Sequence, residues 1–250
     1  MDAIYPDFFA RFYDLIYSKI LTGQDSEYYM RKAREVDGPV LEVGTGTGRF
    51  FTDALKTGID IHGIDISSSM IDMLKARISP EDHYRVRLQS ILDFKSDIKF
   101  VLIIAPFRVF MHLNTISDQV TALNHVYEQL ETGGQFIFDL FIPNPVMLAN
   151  GLNEFMDFEG EYEEGEKIKR IVSAQYDLVN QINYLTMRFE WTEKGKLQTG
   201  TWNTTMRLFF RYELEHLLNR SKFKQTAIYG DFIESPLTRE SKEFIAVCTK

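Results

Sequence analysis

The fold is decided by the stretch Val40-Leu41-Glu42-Val43-Gly44-Thr45-Gly46-Thr47-Gly48. A short apolar strand runs here directly into three alternating glycines, and a helical pattern follows. Glycines lack Cβ, so they let the backbone turn sharply and approach a ligand closely. The stretch therefore predicts the nucleotide-binding turn of a βαβ unit.

A carboxylate completes this signal. The apolar run 59–64 ends in Asp65, and a helix-capping cluster of serines, Ser67 to Ser69, follows. A carboxylate at the tip of the neighbouring strand can accept hydrogen bonds from two ribose hydroxyls. The alternative is an acid at a helix N-terminus that binds amides near Ser68 and contributes only stability.

The glycine spacing bears on the ligand. The third glycine comes one residue too early for the dinucleotide fingerprint G-x-G-x-x-G, and the phosphate loop G-x-x-x-x-G-K-[ST] does not occur in the chain. We therefore expect a ligand without a pyrophosphate, which weakens the alternative of an NAD-dependent oxidoreductase.

The rest of the chain predicts alternating strands and helices. Strands are expected at 40–43, 59–64, 85–88, 100–105 and 135–140, and helices at about 46–56, at 68–78 and in a segment capped by Ser117. This order is typical of an α/β fold with five parallel strands. Three antiparallel strands at about 167–176, 182–191 and 197–206 interrupt it, before a helix near 212–220 and a final hairpin.

The stretch from Glu42 to Gly48 with Asp65 resembles the first two motifs of the class I S-adenosylmethionine-dependent methyltransferases. Asp93 sits where that family has an acidic residue near the adenine. The passage 130–138, with its Gly-Gly pair, is similar to the family's helix-Gly-Gly-strand passage, and 229–232 with 244–248 is similar to its closing hairpin. The resemblance runs from about residue 40 to residue 250.

The resemblance implies a Rossmann-like seven-stranded methyltransferase sheet with an inserted antiparallel meander. We expect residues 1–143 and 207–250 to form the S-adenosylmethionine-binding α/β domain, in which residues 1–37 are a helical cover with an aromatic face. Residues 144–206 are then an inserted subdomain, either a lid or an oligomerisation surface that would support a homodimer.

The resemblance also implies cofactor contacts. Glu42 would help to hold the methionine-end amine, Asp65 the ribose and Asp93 the adenine, although Asp93 could equally be a turn residue. Tyr13 lies in a segment similar to the leading Tyr-Asp-x-x-Tyr helix of small-molecule methyltransferases, and its hydroxyl could bind the cofactor carboxylate. The full predicted set is Tyr13, Glu42, Gly44, Thr45, Gly46, Gly48, Asp65, Ile66, Met70, Ile91, Leu92, Asp93 and Ala105.

Substrate chemistry is expected in residues 105–113, because the fourth strand of this fold points at the transferred methyl group. Ala105 stands where nucleic-acid amino-methyltransferases have an acid or amide, and where the metal-dependent catechol type has an aspartate. His112 is the candidate general base, since its ordinary pKa of about 6.5 suits proton removal at neutral pH. The alternative is a structural histidine. Tyr13 is the second candidate catalytic residue.

The composition of the chain disfavours several classes of binding partner. The formal net charge of -8 disfavours a protein that binds nucleic acid through phosphates. The single cysteine, Cys248, indicates a reducing compartment, and no signal or membrane-spanning segment is recognised, so a cytoplasmic location is expected without membrane contact. The histidines have no metal-ligand spacing, so no metal is expected.

Residues 154–166 contain seven acidic side chains, which we interpret as a solvated loop. The alternative is that they attract a cationic amine.

The sequence thus predicts an S-adenosylmethionine-dependent methyltransferase that methylates N or O of a small-molecule acceptor. A non-catalytic adenosyl-ligand-binding sensor or partner protein is the alternative, because function resides in the site rather than in the fold.

Overall fold

The computed structural model describes residues 5–20 and 23–250. These residues divide into two compact units. One unit comprises 23–142 and 209–250, and the other comprises 5–20 and 143–208. The first helix therefore groups with the inserted segment, whereas the sequence pattern had assigned residues 1–37 to the α/β domain.

Helices and strands alternate along the first half of the chain, and a run of strands follows. In chain order they are α1 (Asp7–Ile20), α2 (Gln24–Arg34), β1 (Val40–Val43), α3 (Arg49–Lys56), β2 (Ile61–Asp65), α4 (Ser68–Lys75), β3 (Val86–Leu88), β4 (Phe100–Ala105), α5 (Ile116–Gln129), β5 (Leu130–Phe141), α6 (Pro145–Asn150), β6 (Leu152–Glu163), β7 (Glu166–Asp177), β8 (Ile182–Glu193), β9 (Lys196–Arg207), α7 (Arg211–Arg220), β10 (Gln225–Tyr229) and β11 (Glu243–Thr249). Short 3₁₀ helices span Pro80–Arg85 and Val109–His112.

The α/β unit is built on a seven-stranded sheet of order β10-β11-β5-β4-β1-β2-β3. Strands β1 to β5 are parallel to one another, and β11 runs antiparallel to β5 and β10. The predicted α/β fold with a Rossmann-like seven-stranded sheet is confirmed. The carboxyl ends of β1, β2, β4 and β5 lie at one edge of the sheet, where open α/β sheets bind ligands.

The central strands are buried on both faces of the sheet. All four residues of β1 are buried, as expected for a strand that is covered on both faces. On one face, a core of apolar side chains from α2, α3 and α4 packs against β1, β2 and β4; its members include Tyr29, Phe51, Leu74, Val40 and Ile104.

Two predicted details were wrong. Helix α5 is capped by Thr115, whose hydroxyl accepts a hydrogen bond from the amide of Asp118 at 3.0 Å. Ser117 lies inside the first turn. The predicted helix 46–56 begins only at Arg49, because Gly44, Gly46 and Gly48 all adopt positive φ angles and form a loop.

The inserted unit contains a four-stranded antiparallel sheet of order β6-β7-β8-β9, one strand more than predicted. The missed strand, β6, contains most of the acidic stretch that was interpreted as a loop. It is an edge strand that pairs only with β7 and has three register shifts. Charged side chains and irregular pairing are typical of edge strands, which must avoid pairing with other chains.

Helix α1 packs its aromatic face on this sheet. The ring of Phe9 lies 4.6 Å from Trp202 and 5.5 Å from Phe189, and that of Phe12 lies 5.5 Å from Trp191. Phe9 and Phe12 are each 1% exposed. The aromatic periodicity of the N-terminal segment therefore corresponds to a buried helix face within this unit. Across residues 5–20 and 23–250, no helix has the length and apolar character needed to cross a membrane.

Candidate active site

The loop between β1 and α3 is fastened to the end of β2. The amides of Gly44 and Thr45 donate to the carbonyl of Ile64 at 2.8 and 3.1 Å, and the amide of Gly46 donates to Asp65 Oδ2 at 2.8 Å. The two motifs that the sequence pattern paired are thus joined by direct hydrogen bonds. They form one structural feature.

Two of the loop glycines are required by space as well as by conformation. A Cβ on Gly44 would lie 2.4 Å from Val109 Cγ2, and one on Gly48 would lie 2.2 Å from Leu74 Cδ1. Both residues also have φ angles, 70° and 87°, that disfavour side chains. The loop is therefore in close contact with α4 on one side and with the segment after β4 on the other.

Glu42 is a buried carboxylate directly before this loop. It is 3% exposed, and Thr45 Oγ1 donates a hydrogen bond to its Oε2 at 2.9 Å. Burial raises the pKa of Glu42 to about 8, although the hydrogen bond from Thr45 opposes the rise. A cationic amine bound beside this carboxylate would favour its charged form.

The carboxylate of Asp65 accepts two hydrogen bonds from backbone amides. Its Oδ1 accepts from the amide of Ser67 at 2.8 Å, and its Oδ2 accepts from Gly46. Burial raises the pKa of Asp65, and the bonds from the two amides lower it. The stabilising role at the start of α4, which was the alternative interpretation of this acid, is therefore present. Each carboxylate oxygen can accept more than one hydrogen bond, so ribose binding remains compatible with it and stays a prediction.

The predicted adenine-side residues follow β3. The amide of Gln89 donates to the carbonyl of Asp65 at 2.9 Å, so this segment starts beside the loop. Ile91 is buried, Leu92 is half-buried, and Asp93 is exposed in a turn. On α4 and just before it, Met70 is 1% exposed and Ile66 is 43% exposed. Their cofactor contacts remain predictions.

The segment after β4 lies against the glycine loop through Val109, which contacts the backbone at Gly44. Ala105 is fully buried at the end of β4, and His112 is half-buried at the end of the 3₁₀ helix. The structure thus brings the expected substrate segment to the cofactor loop, while the catalytic role of His112 stays a prediction.

Tyr13 belongs to the other unit. Its ring lies 4.4 Å from that of Tyr17 and 5.8 Å from that of Phe9, all on α1. Its predicted contact with the cofactor also stays a prediction.

The sequence pattern did not single out Asp139, near the end of β5. This carboxylate is fully buried and accepts hydrogen bonds from Tyr29 Oη at 2.6 Å and from the amide of Phe107 at 3.0 Å. The signal was one acid within the apolar run Phe136-Ile137-Phe138-Asp139-Leu140-Phe141. Buried charges rarely persist without partners, so that position could have been recognised.

The residues present fit an adenosyl cofactor with a cationic sulfonium end. The glycine loop, in which Gly44 and Gly48 have no room for a Cβ, lets the backbone approach a ligand closely. Two buried carboxylates, Glu42 and Asp65, supply acceptors for an amine and for hydroxyls. In the described parts of the chain, His, Cys, Asp and Glu side chains do not gather in any group of three that could hold a metal ion.

Comparison with known proteins agrees with this geometry. Residues 40–134 match a family model described as "Methyltransferase domain". The matched residues lie within the α/β unit and contain the glycine loop and Asp65. This match and the seven-stranded topology agree with the class I S-adenosylmethionine-dependent methyltransferase domain, and with the cofactor, that the sequence predicted.

Among related proteins, the chain is 29% identical over 106 residues to malonyl-[acyl-carrier protein] O-methyltransferase 1 of Ilyobacter polytropus, covering 41% of this chain and 37% of that protein. It is 21% identical over 248 residues to the cypemycin N-terminal methyltransferase of a Streptomyces species, covering 98% and 97% of the two chains. An S-adenosylmethionine-dependent methyltransferase from Clostridium acetobutylicum shares the fold with a TM-score of 0.77, at 18% identity over 97% of this chain and 98% of that one.

Proposed function

We propose that this protein transfers a methyl group from S-adenosylmethionine to a nitrogen or oxygen atom of a small-molecule acceptor. The observation that carries the proposal is the contact between the glycine loop and the segment after β4, through Gly44 and Val109. This contact supports the proposal, because residues 105–113, where substrate chemistry is expected, lie beside the predicted cofactor loop. Both belong to the same compact unit.

Methyl transfer from an activated sulfonium requires the protein mainly to position the donor and the acceptor. When bound, S-adenosylmethionine supplies a methyl group from its sulfonium sulfur. The rest of the cofactor leaves as a neutral thioether. The acceptor's lone pair forms the new bond as the sulfur–carbon bond breaks, and the bonding pair stays on sulfur. The protein must therefore hold donor and acceptor in line and exclude water. In this scheme Asp65 binds the ribose and Glu42 the amine of the cofactor.

Nitrogen is the favoured acceptor atom. The relative that aligns over nearly the full chain is named as an N-terminal methyltransferase, whereas the O-methyltransferase aligns over less than half of this chain. A neutral amine needs no base before attack. An acceptor that arrives protonated, or a hydroxyl, would lose its proton to His112, whose half-buried imidazole lies on the substrate segment.

A small molecule fits the charge better than a nucleic acid does. The net charge of -8 opposes binding to phosphates. A cytoplasmic location, a homodimer and the use of residues 144–206 as a lid or oligomerisation surface remain proposals from the sequence. Sedimentation of the purified protein would test the homodimer.

The test is methyl transfer from labelled S-adenosylmethionine to a panel of small amines and a matched panel of alcohols, with S-adenosylhomocysteine as the second product. We expect turnover with amines, loss of turnover in Asp65→Ala, and a lower rate in His112→Gln than in the wild type at neutral pH. The difference should disappear at acidic pH, where a protonated imidazole cannot accept a proton. Tyr13→Phe tests the tyrosine by the same assay. Tight binding of S-adenosylhomocysteine without transfer to any panel member would favour the non-catalytic sensor instead.

A further inference from the structure

A cluster of charges centred on the fully buried Asp139 lies around the chain just after β4, with the side chains of Arg108 and Glu243 partly exposed. Besides Tyr29 and the amide of Phe107, the carboxylate of Asp139 pairs with the guanidinium of Arg108. Arg108 also pairs with Glu243 of β11, at 2.7 Å from Nη2 to Oε2. Four parts of the chain therefore meet at the carboxylate of Asp139 and the guanidinium of Arg108. They are α2, the turn after β4, β5 and β11.

The backbone at this point is strained. Phe107 and Arg108 have φ angles of 63° and 65°, two successive non-glycine residues in the left-handed region. Such a conformation costs free energy at each residue and persists only where the surroundings impose it. Here the imposed contacts are the bond from the Phe107 amide to Asp139 and the ion pair of Arg108 with the same carboxylate.

A second group holds the same turn from the other side. The guanidinium of Arg49, at the start of α3, lies 3.6 Å from the centre of the Phe107 ring. Arg49 is itself held by Asp25 of α2, at 3.0 Å from Nη2 to Oδ2. A cation over an aromatic face fixes the ring as well as attracting it. The backbone and the side chain of Phe107 are thus both held.

The turn leads directly to the cofactor loop. Val109, the next residue after Arg108, packs so closely on Gly44 that a Cβ there would overlap it. A shift of the turn would therefore move Val109 away from the loop, and would move His112 with it. Replacement of a buried ion pair by apolar residues is often tolerated or stabilising, so stability alone does not explain these charges.

We propose that Asp139, Arg108 and Tyr29 are positioning residues for methyl transfer, which hold residues 106–112 in the strained turn that places them against the cofactor loop. The inference rests on the proposed function for its catalytic consequence. Its structural part, that the cluster holds this segment, can be tested without any acceptor.

The chain offers a matched pair of variants. Tyr28 and Tyr29 are neighbours on α2, both are buried, and each donates its hydroxyl to a carboxylate. The partner is Glu234 at 3.0 Å for Tyr28 and Asp139 at 2.6 Å for Tyr29. Tyr29→Phe and Tyr28→Phe therefore delete the same kind of hydrogen bond, but only the former touches the cluster.

The first measurement is hydrogen–deuterium exchange of the peptide 106–112, with free energies of unfolding measured for both variants. We expect about tenfold faster exchange in Tyr29→Phe, because a hydrogen bond to a charged group is lost, and wild-type exchange in Tyr28→Phe. Arg108→Lys should also exchange faster, since lysine cannot pair with two carboxylates through a planar fork. Equal exchange in the two phenylalanine variants would overturn the proposal.

The second measurement is turnover with an accepted amine. We expect kcat to fall about tenfold or more in Tyr29→Phe relative to Tyr28→Phe, while the Kd for S-adenosylhomocysteine changes by less than about threefold, because a misplaced reacting segment lowers kcat more than binding. Faster exchange with unchanged kcat would also overturn the positioning role. A wild-type protein that binds the thioether but methylates nothing would contradict the proposed function instead, and the exchange data would then decide the structural part alone.

Discussion

The amide of Gly46 donates a hydrogen bond to Asp65 Oδ2 at 2.8 Å, so the tip of the glycine loop is tied to the end of the neighbouring strand. The other oxygen of the same carboxylate accepts from Ser67, at the start of α4. One side chain thus connects the loop, a strand and a helix. The geometry of the predicted cofactor loop therefore depends on this side chain.

We expect Asp65→Ala to weaken binding of S-adenosylhomocysteine by at least tenfold, because hydrogen bonds to a charged group contribute about 1.5–3 kcal/mol each. One of the two orders the glycine loop through Gly46, and the other orders the start of α4 through Ser67. Asp53→Ala, which removes an exposed aspartate on α3, is the control and should bind as the wild type does. Calorimetric titration measures both. An Asp65→Ala protein with wild-type affinity would contradict a cofactor role for this carboxylate.

The buried Glu42 should make stability depend on pH. Its pKa is about 8 in the folded protein against an ordinary value of 4.5, so the folded state holds a proton that the unfolded state has lost between these values. The contribution of this group to the free energy of unfolding therefore falls as pH rises from 4.5 to about 8, by up to about 1.4 kcal/mol per pH unit.

Urea unfolding at pH 5.5 and pH 8 checks this expectation. Other groups also titrate in this range, so the quantity to compare is the change in the wild type minus the change in Glu42→Gln. The glutamine variant should lose less stability over the interval. The exposed residue Glu164 supplies the control, and in Glu164→Gln the change should equal that of the wild type. A Glu42→Gln protein with the same pH dependence as the wild type would show that Glu42 does not titrate there.

Replacing a glycine by alanine can destabilise a protein through backbone strain and through overpacking. A comparison of Gly48 with Gly58 distinguishes these two contributions. Both have positive φ angles, 87° and 84°, but a Cβ on Gly48 would lie 2.2 Å from Leu74 Cδ1, whereas one on Gly58 meets nothing within 4 Å. Gly58→Ala should therefore destabilise by only about 1 kcal/mol, the backbone cost. Gly48→Ala should lose a further 1–3 kcal/mol, roughly, from overpacking.

Chemical denaturation of the two alanine variants gives the difference directly. Equal losses would mean that Leu74 moves aside at no cost. In that case the close approach of α4 would not explain the glycine.

The aromatic face of α1 should stabilise the inserted unit. Phe9→Ala removes a 1% exposed ring that contacts Phe189 and Trp202, and we expect a loss of about 3–5 kcal/mol. Both tryptophans of the chain, Trp191 and Trp202, lie in this unit, so intrinsic tryptophan fluorescence reports on its unfolding.

Phe155→Ala is the matched control, because this ring lies on β6 of the same sheet and is 55% exposed. It should lose less than about 1 kcal/mol. A fluorescence-detected transition that is the same in Phe9→Ala and Phe155→Ala would refute the packing role of α1.

Local sequence patterns were sufficient to predict much of the fold of this protein. The strand that runs into alternating glycines, the acid that ends the next strand and the apolar runs of the other strands predicted the α/β fold and a nucleotide-binding loop at Gly44 to Gly48, and the family resemblance of these motifs implied the cofactor class. Each of these signals lies within a few residues, because turn chemistry and strand periodicity are local properties. Strand β6 was missed since its acidic residues mask the period of two at a sheet edge.

Only the tertiary structure decided which distant residues meet. Tyr29 and Asp139 are 110 positions apart in sequence, and Arg108 and Glu243 join them solely because β11 is inserted beside β5 and the turn after β4 points towards both. The partner of the aromatic face of α1 was undecided for the same reason. A periodic pattern predicts that a face is buried, but strand order and chain crossings, to which the whole chain contributes, determine what covers it.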